Sequence, residues 1–419
     1  MTFFTFDLEK YVSLSGANIP NFIVFSKTLS LAALLCLAGV TDSYAKSEIN
    51  EISQPSQSGI IDRKLTSTQT FGHRELRPQN TFDIFVPKPP TLNTKFDYTV
   101  WDKALSSSVV QMGPSLRRFA RKARPNIGTR LVKKSQSSPY RLEGSRVTFH
   151  YFPDDYLEAL TEYKQDLLQL AHKHDIQSFK RNEQLAFWIN LHNVVLIEAI
   201  AKEHPTENPS ALTFGAKAES LHLAKLITIK NVPLSLKNIR ENIVYENWDD
   251  PAVIYGFFRG DIGGPGLMPF AVTAENVQYV LATHGFEYIT SLRGFHTTKK
   301  ERKISTLYNE AQSYFFQNWP LDIETHFKGY LKDHYLLKQL EQDKPWGFIE
   351  YDTIIADLWG GDNSLGSASS LSTQGSRTVP PILYARERKI RTLKRKGLLK
   401  RNYTVTVEDI ETEDNALPE

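Results

Sequence analysis

A single cysteine, Cys36, stands in this chain, and it lies inside an apolar run near the N-terminus. If that run is removed by processing, the remaining chain has no thiol. Disulfides, cysteine-ligated zinc and thiol nucleophiles are then excluded together. Whatever the chain folds into must be held by its apolar core alone. Hydrophobic content of 41% with 11% aromatics is ample for that, so no covalent staple is needed. The net charge of +3 is mild and does not mark the whole molecule as a binder of polyanions such as nucleic acid.

The run itself, Thr28–Ala45, follows Lys27 and ends with the small residues Ser43 and Ala45 at the places signal peptidase reads. It is shorter than the ~20 residues a bilayer span needs. The pattern predicts a signal peptide over residues 1–45, cleavage before Lys46, and a periplasmic or secreted product. An N-terminal anchor or a buried helix is the alternative. Leu35 precedes Cys36 where a lipoprotein signal needs a small residue, which argues against lipidation.

Residues 46–94 are polar and weakly periodic and read as a disordered linker. Residues 95–359 carry the patterns of one globular domain. Residues 360–419 read as a Gly/Ser-rich linker, a basic helix and an acidic tail. Within the domain, Arg146–His150 suggests a short strand, and Asp154 can cap a helix with apolar residues at helical spacing. A second helix covers about Gln184–Lys202. Leu226–Lys230 and Val232–Leu234 flank Asn231 like a tight hairpin. Ser235 is placed to cap a helix over Leu236–Glu246, and Val253–Phe258 is apolar enough for a buried strand. Thr273 is placed to cap Ala274–Thr283, and helical pattern continues through Ser305–Phe316 and Ile323–Gln342. Mixed helices and scattered short strands predict an α+β fold, a single mixed globular domain that is helix-rich with a small sheet.

Three strings stand out: Gln184-Leu-Ala-Phe-Trp-Ile-Asn-Leu-His-Asn193, Leu234-Ser-Leu-Lys-Asn-Ile-Arg240, and Asp250 through Pro265 followed by Phe270-Ala-Val-Thr-Ala-Glu-Asn276. In order and spacing they resemble the family called domain of unknown function 547, over roughly Tyr156–Asp357. Many members of that family carry a Cys-Pro pair in the loop after the Asp-Pro string. Here the loop reads Arg259-Gly-Asp-Ile-Gly-Gly-Pro265, without a thiol. The resemblance names the domain and implies no settled reaction.

The candidate ligand-binding residues are Asn190, Asn193, Arg259, Asp261, Gly263 and Gly264, with His192 and His150 as candidate bases. On a helical wheel Asn190 and Asn193 share a stripe, whereas His192 lies on the other side with Leu185 and Trp188. The two amides either contact a ligand or brace a neighbouring loop, since a buried unpaired amide costs ~1–3 kcal/mol. His192 on an apolar face is either a base or a satisfied core residue. Successive glycine amides can form an anion nest beside Arg259, or the glycines can serve a tight turn. If the loop is scaffolding, Arg259 should pair with an internal acid such as Asp249 or Asp261. No HExxH, no GxSxG, no P-loop and no zinc-like spacing occurs, so no metal site is assigned and no cofactor is expected.

Two readings follow. The first is an exported envelope protein acting as a ligand- or partner-binding module, its partner a small or polymeric envelope ligand with anions a natural class. The second is a hydrolase-like enzyme using His192 or His150 as base and the Arg259/glycine loop as anion site, without thiol or metal. Arg386–Arg401 is strongly basic. It is a candidate for membrane-surface contact, or else a solvated helix balanced by the acidic tail.

Overall fold

Along the described residues of the computed structural model (81–121, 138–361 and 381–398), helix α1 (Thr99–Ser108) leads into strand β1 (Val109–Gln111). Strand β2 (Ser145–Val147) is followed by α2 (Asp154–Lys173), α3 (Arg181–Lys202) and two small hairpins, β3 (Thr213–Phe214) with β4 (Glu219–Ser220) and β5 (Ile227–Ile229) with β6 (Val232–Leu234). Then come α4 (Leu236–Asn238), α5 (Val277–Thr290), β7 (Phe295–Thr297), β8 (Arg302–Ser305), α6 (Leu307–Phe315), α7 (Leu321–Tyr330), α8 (His334–Leu340), β9 (Trp346–Ile349) and α9 (Pro381–Arg395). The result is a mixed α+β domain with one large core and several small sheets. The expected signal peptide, the linker up to residue 80, the basic residues 122–134, the stretch 362–380 and the acidic tail lie outside the described residues.

Helix α3 is the axis of the fold. Every residue from Glu183 to Ala201 is buried, as expected of a helix apolar on nearly all sides. It is long and apolar enough to cross a bilayer, but its apolar window lies wholly inside the domain. Among its polar groups, Glu198 accepts from Lys164 Nζ at 2.8 Å and from Thr161 Oγ1 at 3.0 Å, both from α2. Helix α5 packs against the chain that follows Asp250. Gly256 is required there, because a Cβ would lie 2.7 Å from Ile189 Cδ1 on α3 and 3.1 Å from Leu281 Cδ2 on α5.

The strand expected over Val253–Phe258 is a buried 3-10 turn, Pro251–Gly256. Asp250 and Pro251 decide this locally. The Asp250 side chain accepts from Ala252 N at 2.9 Å, and proline is pre-set for the first position of a helical turn. The hairpin is as expected, with Lys230 and Asn231 at φ 49° and 65°, the paired positive values that suit strand twist. Ser235 caps its helix through a reciprocal box with Asn238, at 3.1 and 3.0 Å. That helix does not stay α-helical; it widens into a π-helix over Ile239–Tyr245. The pattern over Ile323–Gln342 divides into α7 and α8.

The sheets are separate and small: β1–β2, β3–β4, β5–β6, and β7–β8–β9, in which β8 and β9 run parallel. A strap after β9 bridges to two other places, Ile355 to Asp261 and Asp357 to Val147 of β2.

Two expected boundaries are corrected. Residues 81–94 are not linker. Phe85 is 3% exposed and meets the Trp188 ring edge-on at 5.4 Å. Lys88, Thr91 and Leu92 donate backbone hydrogen bonds to Gln177 and Ser178. Phe82, Phe85 and Leu92 are the apolar anchors that a polar average concealed. At the other end, α9 is helical as expected but docks on the domain, with Ile390 4% and Leu393 1% exposed.

Candidate functional site

Asn190 and Asn193 leave α3 toward the loops that follow the 3-10 turn. Asn190 Nδ2 donates to Val272 O at 2.6 Å, and its Oδ1 accepts from Val272 N at 3.1 Å. Asn193 does the same across Gly256 O and Phe258 N, both at 3.1 Å. Each amide thereby replaces a missing strand partner for a buried peptide group. Both are nearly inaccessible, at 1% and 3%. They brace the loops and face no ligand cavity.

His192 points the other way, as the wheel requires. Its Nδ1 lies 3.0 Å from Asn193 Oδ1 and its Nε2 lies 3.1 Å from Arg240 Nη1. Arg240 can only donate, so Nε2 accepts and Nδ1 carries the proton. Burial and the Arg240 charge hold the imidazole well below its ordinary value. Both nitrogens are engaged, and a proton taken at Nε2 would face a guanidinium. A general-base role for His192 does not fit this arrangement.

Arg240 leads to the centre of the site. Its Nε and Nη2 reach Glu310 Oε1 and Oε2 at 2.9 and 3.1 Å. Arg259 reaches the same carboxylate with Nη2 to Oε1 at 2.6 Å and Nη1 to Oε2 at 3.0 Å. Each carboxylate oxygen of this α6 residue therefore accepts from both guanidinium groups. Burial alone would raise the Glu310 carboxyl, but the charges of Arg259 and Arg240 outweigh it and hold it well below the usual carboxylate range. The arginine side chains are 6% and 1% exposed and that of Glu310 is 22%. His222 sits 3.5 Å from Arg240 Nη1; burial and the two guanidinium charges keep it neutral. The internal acid expected for Arg259 thus exists, but it is neither Asp249 nor Asp261. Glu310, Arg240 and His222 were not among the candidate residues. Arg240 closes one of the quoted strings. Glu310 carries no sequence signal, being 51 and 70 residues from its partners.

The glycine loop forms no anion nest. Gly263 N donates to Asp352 O at 2.9 Å and Gly264 N to Asp261 Oδ1 at 3.0 Å. Their carbonyls take Tyr288 Oη at 2.7 Å and Arg293 Nε at 3.2 Å. Gly260 has the positive φ, 84°; at Gly263 and Gly264 the constraint is space. A Cβ on Gly263 would lie 2.8 Å from Asp352 O, and one on Gly264 would lie 2.7 Å from Arg259 Cβ and Cγ. Asp261 Oδ1 also accepts from Tyr351 Oη at 2.8 Å. Its Oδ2, like Arg259 Nε and Tyr245 Oη, is buried without a hydrogen-bond partner. Burial pushes Asp261 up to about 7, against the Tyr351 hydrogen bond and the Arg259 charge.

His150 lies elsewhere. It follows β2 in a 3-10 turn rather than ending the strand, with its ring 5.8 Å from that of Trp359. His150 Nδ1, His204 Nε2 and Asp357 Oδ1 are all buried without a partner. Burial lowers His204 while Asp357 pulls it the other way. The second Asp357 oxygen accepts from Trp359 N and Gly361 N, both at 2.9 Å. The sequence candidates therefore divide into a bracing pair, a charged clamp and this separate histidine–aspartate group. Among the described residues, no cluster of three or more His, Cys, Asp and Glu is arranged to hold a metal ion.

No curated protein and no solved structure matches the chain. A family model described as "Protein of unknown function, DUF547" matches residues 176–289. The matched stretch holds α3, the β5–β6 hairpin, Arg240, the 3-10 turn, the glycine loop and nearly all of α5. Glu310, His150 and Asp357 lie outside it, whereas His204 lies inside. The loop Arg259–Pro265 holds no thiol, and the Arg259 stem occupies the space a side chain at 264 would take. With its strings in order inside the matched stretch, the chain carries a domain of the DUF547 family.

Proposed function

We propose that this chain is an exported envelope protein whose domain binds a ligand or partner rather than turning over a substrate. One observation carries the reading: Glu310 fills the anion position between Arg240 and Arg259, and His192 spends both ring nitrogens on neighbours. Catalysis by a positioned base needs a free lone pair within reach of a substrate proton, and neither Glu310 nor His192 offers one. The small residues before Lys46 support export.

The test is a panel of chromogenic esters, phosphoesters and peptide amides, offered to wild-type protein, His192→Ala and Arg259→Ala. The reading expects no turnover. Turnover by the wild type that either variant abolishes, with its melting curve intact, would overturn it. Export is checked by sequencing the N-terminus of the product: it should begin at Lys46 in the periplasm or medium, and full-length protein in the cytosol would count against it.

A hydrolase-like second reading rests on the three orphaned polar atoms of His150, His204 and Asp357. A buried carboxyl group beside a histidine is the base-and-orienter half of such a site. Turnover lost in His150→Ala but kept in His192→Ala would favour it.

A further inference from the structure

We propose that the outer face of α9 is a docking surface for anionic lipid headgroups. This goes beyond the ligand-binding reading and uses a different part of the molecule.

The helix has two faces of opposite character. At about 100° per residue, Arg386, Lys389, Ile390 and Leu393 fall on one side, and Tyr384, Arg388, Arg391 and Arg395 fall together on the other. The first side is consumed by the domain. Arg386 Nε donates to Gln111 O, and Lys389 Nζ donates to Gly113 O at 2.8 Å and Leu142 O at 2.5 Å. Burial brings the Lys389 ammonium down to about 8. Gly113, at φ 77°, lets Ile390 approach to 2.8 Å of where a Cβ would stand. The end of the helix is also set. Gly397 at φ 71° closes it, with Leu398 N on Leu393 O at 3.0 Å and Gly397 N on Lys394 O at 3.1 Å, the paired bonds of a Schellman cap.

What remains outward is a rigid row of three arginines with one acid near it. Arg391 meets Glu387 at 3.5 Å, with both side chains more than 60% exposed, a pairing that contributes little. Among the described residues, no carboxylate pairs with Arg388 or Arg395. The segment under the helix continues into Arg118 and Arg121, both exposed. Like charges gathered on one face repel unless an anion joins them. Tyr384 at one end of the row is 57% exposed, and Leu398 just past the other end is 62% exposed. A soluble polyanion has no use for those two side chains, whereas basic residues flanked by aromatic and aliphatic ones suit the headgroup boundary.

The test is sedimentation of the full chain with large vesicles at about 0.15 M salt, either of phosphatidylcholine or of an equimolar mixture with phosphatidylglycerol. The expected result is binding to the mixed vesicles alone, weakened by salt. It should fall roughly a hundredfold in Arg388→Gln/Arg391→Gln/Arg395→Gln, with the melting curve unchanged because these side chains are exposed. Equal binding to both vesicles, or undiminished binding by the triple variant, would overturn the proposal. Heparin bound through these arginines while vesicles are not would mean a soluble polyanion instead. Vesicle binding seen only after deletion of residues 407–419 would mean that the chain's own acidic tail occupies the face.

Discussion

Replacing Glu310 by glutamine keeps the shape of the clamp and removes its only negative charge. Arg240 and Arg259 then remain buried, close together and without a counter-ion. The wild-type carboxylate accepts four charge-assisted hydrogen bonds between 2.6 and 3.1 Å, and the arginine side chains are 1% and 6% exposed. Breaking a buried pair by removing one partner costs about 3–5 kcal/mol. For a domain of this size that is a fall in melting temperature on the order of 10 °C. The acid limb carries a second signature. A carboxyl held below its unfolded value contributes stability that is complete above that value and is lost as pH falls toward the folded one. For Glu310 the unfolded value is 4.5 and the folded value lies well below it, so the loss begins near pH 4.5 and continues downward. Urea denaturation of wild type and Glu310→Gln, repeated from pH 7 to pH 3, reads both effects. The variant should be less stable at pH 7, and the gap should narrow as the pH drops. A difference under about 1 kcal/mol at pH 7, or a gap independent of pH, would refute the clamp as a stabilising element.

Two further expectations follow from the same neighbourhood. Asn190→Leu leaves the Val272 N–H and C=O unpaired and should lower stability by about 2–4 kcal/mol, read from the urea midpoint; an unchanged midpoint would mean that the amide braces nothing. Asp261 behaves oppositely to Glu310, because a carboxyl raised from 3.8 to about 7 holds its proton longer when folded and so destabilises the fold as pH rises between those values. Asp261→Asn should match wild type near pH 4 and exceed it near pH 8, by up to about 4 kcal/mol, and melting curves that stay parallel across that range would contradict the assignment.

The chain's own letters determined what is local. The 3.6-residue apolar period of α2 and the continuous run of α3 could be read directly, because each helical turn places neighbours in sequence against one core. The β5–β6 hairpin and the Ser235 cap were legible for the same reason: turn and cap chemistry act within three or four residues. The wheel separated His192 from Asn190 correctly, since side-chain direction on a helix is a matter of angle alone. Where two local rules compete, the Asp-Pro start prevails over the apolar run. The apolar stretch after Asp250 reads as a strand, but the Asp-Pro start turns it into a 3-10 turn, and Asn193 supplies partners for Gly256 O and Phe258 N.

Tertiary structure decided the rest. Nothing near Arg259 in sequence marks Glu310, 51 residues away, as its partner. That choice depends on how α6 packs beside the π-helix carrying Arg240, and packing is a sum over the whole core. No sequence rule shows that the strap takes the Gly263 amide at Asp352 O and that Asp261 takes the Gly264 amide, which leaves an anion nest and a tight turn as equal readings of the loop. The basic C-terminal segment reads from its letters as a membrane-contact or a solvated helix, and only the fold shows that one face buries Lys389, Ile390 and Leu393. A pattern with a period of a few residues is written in the chain, whereas a contact between distant segments exists only once the chain has closed on itself.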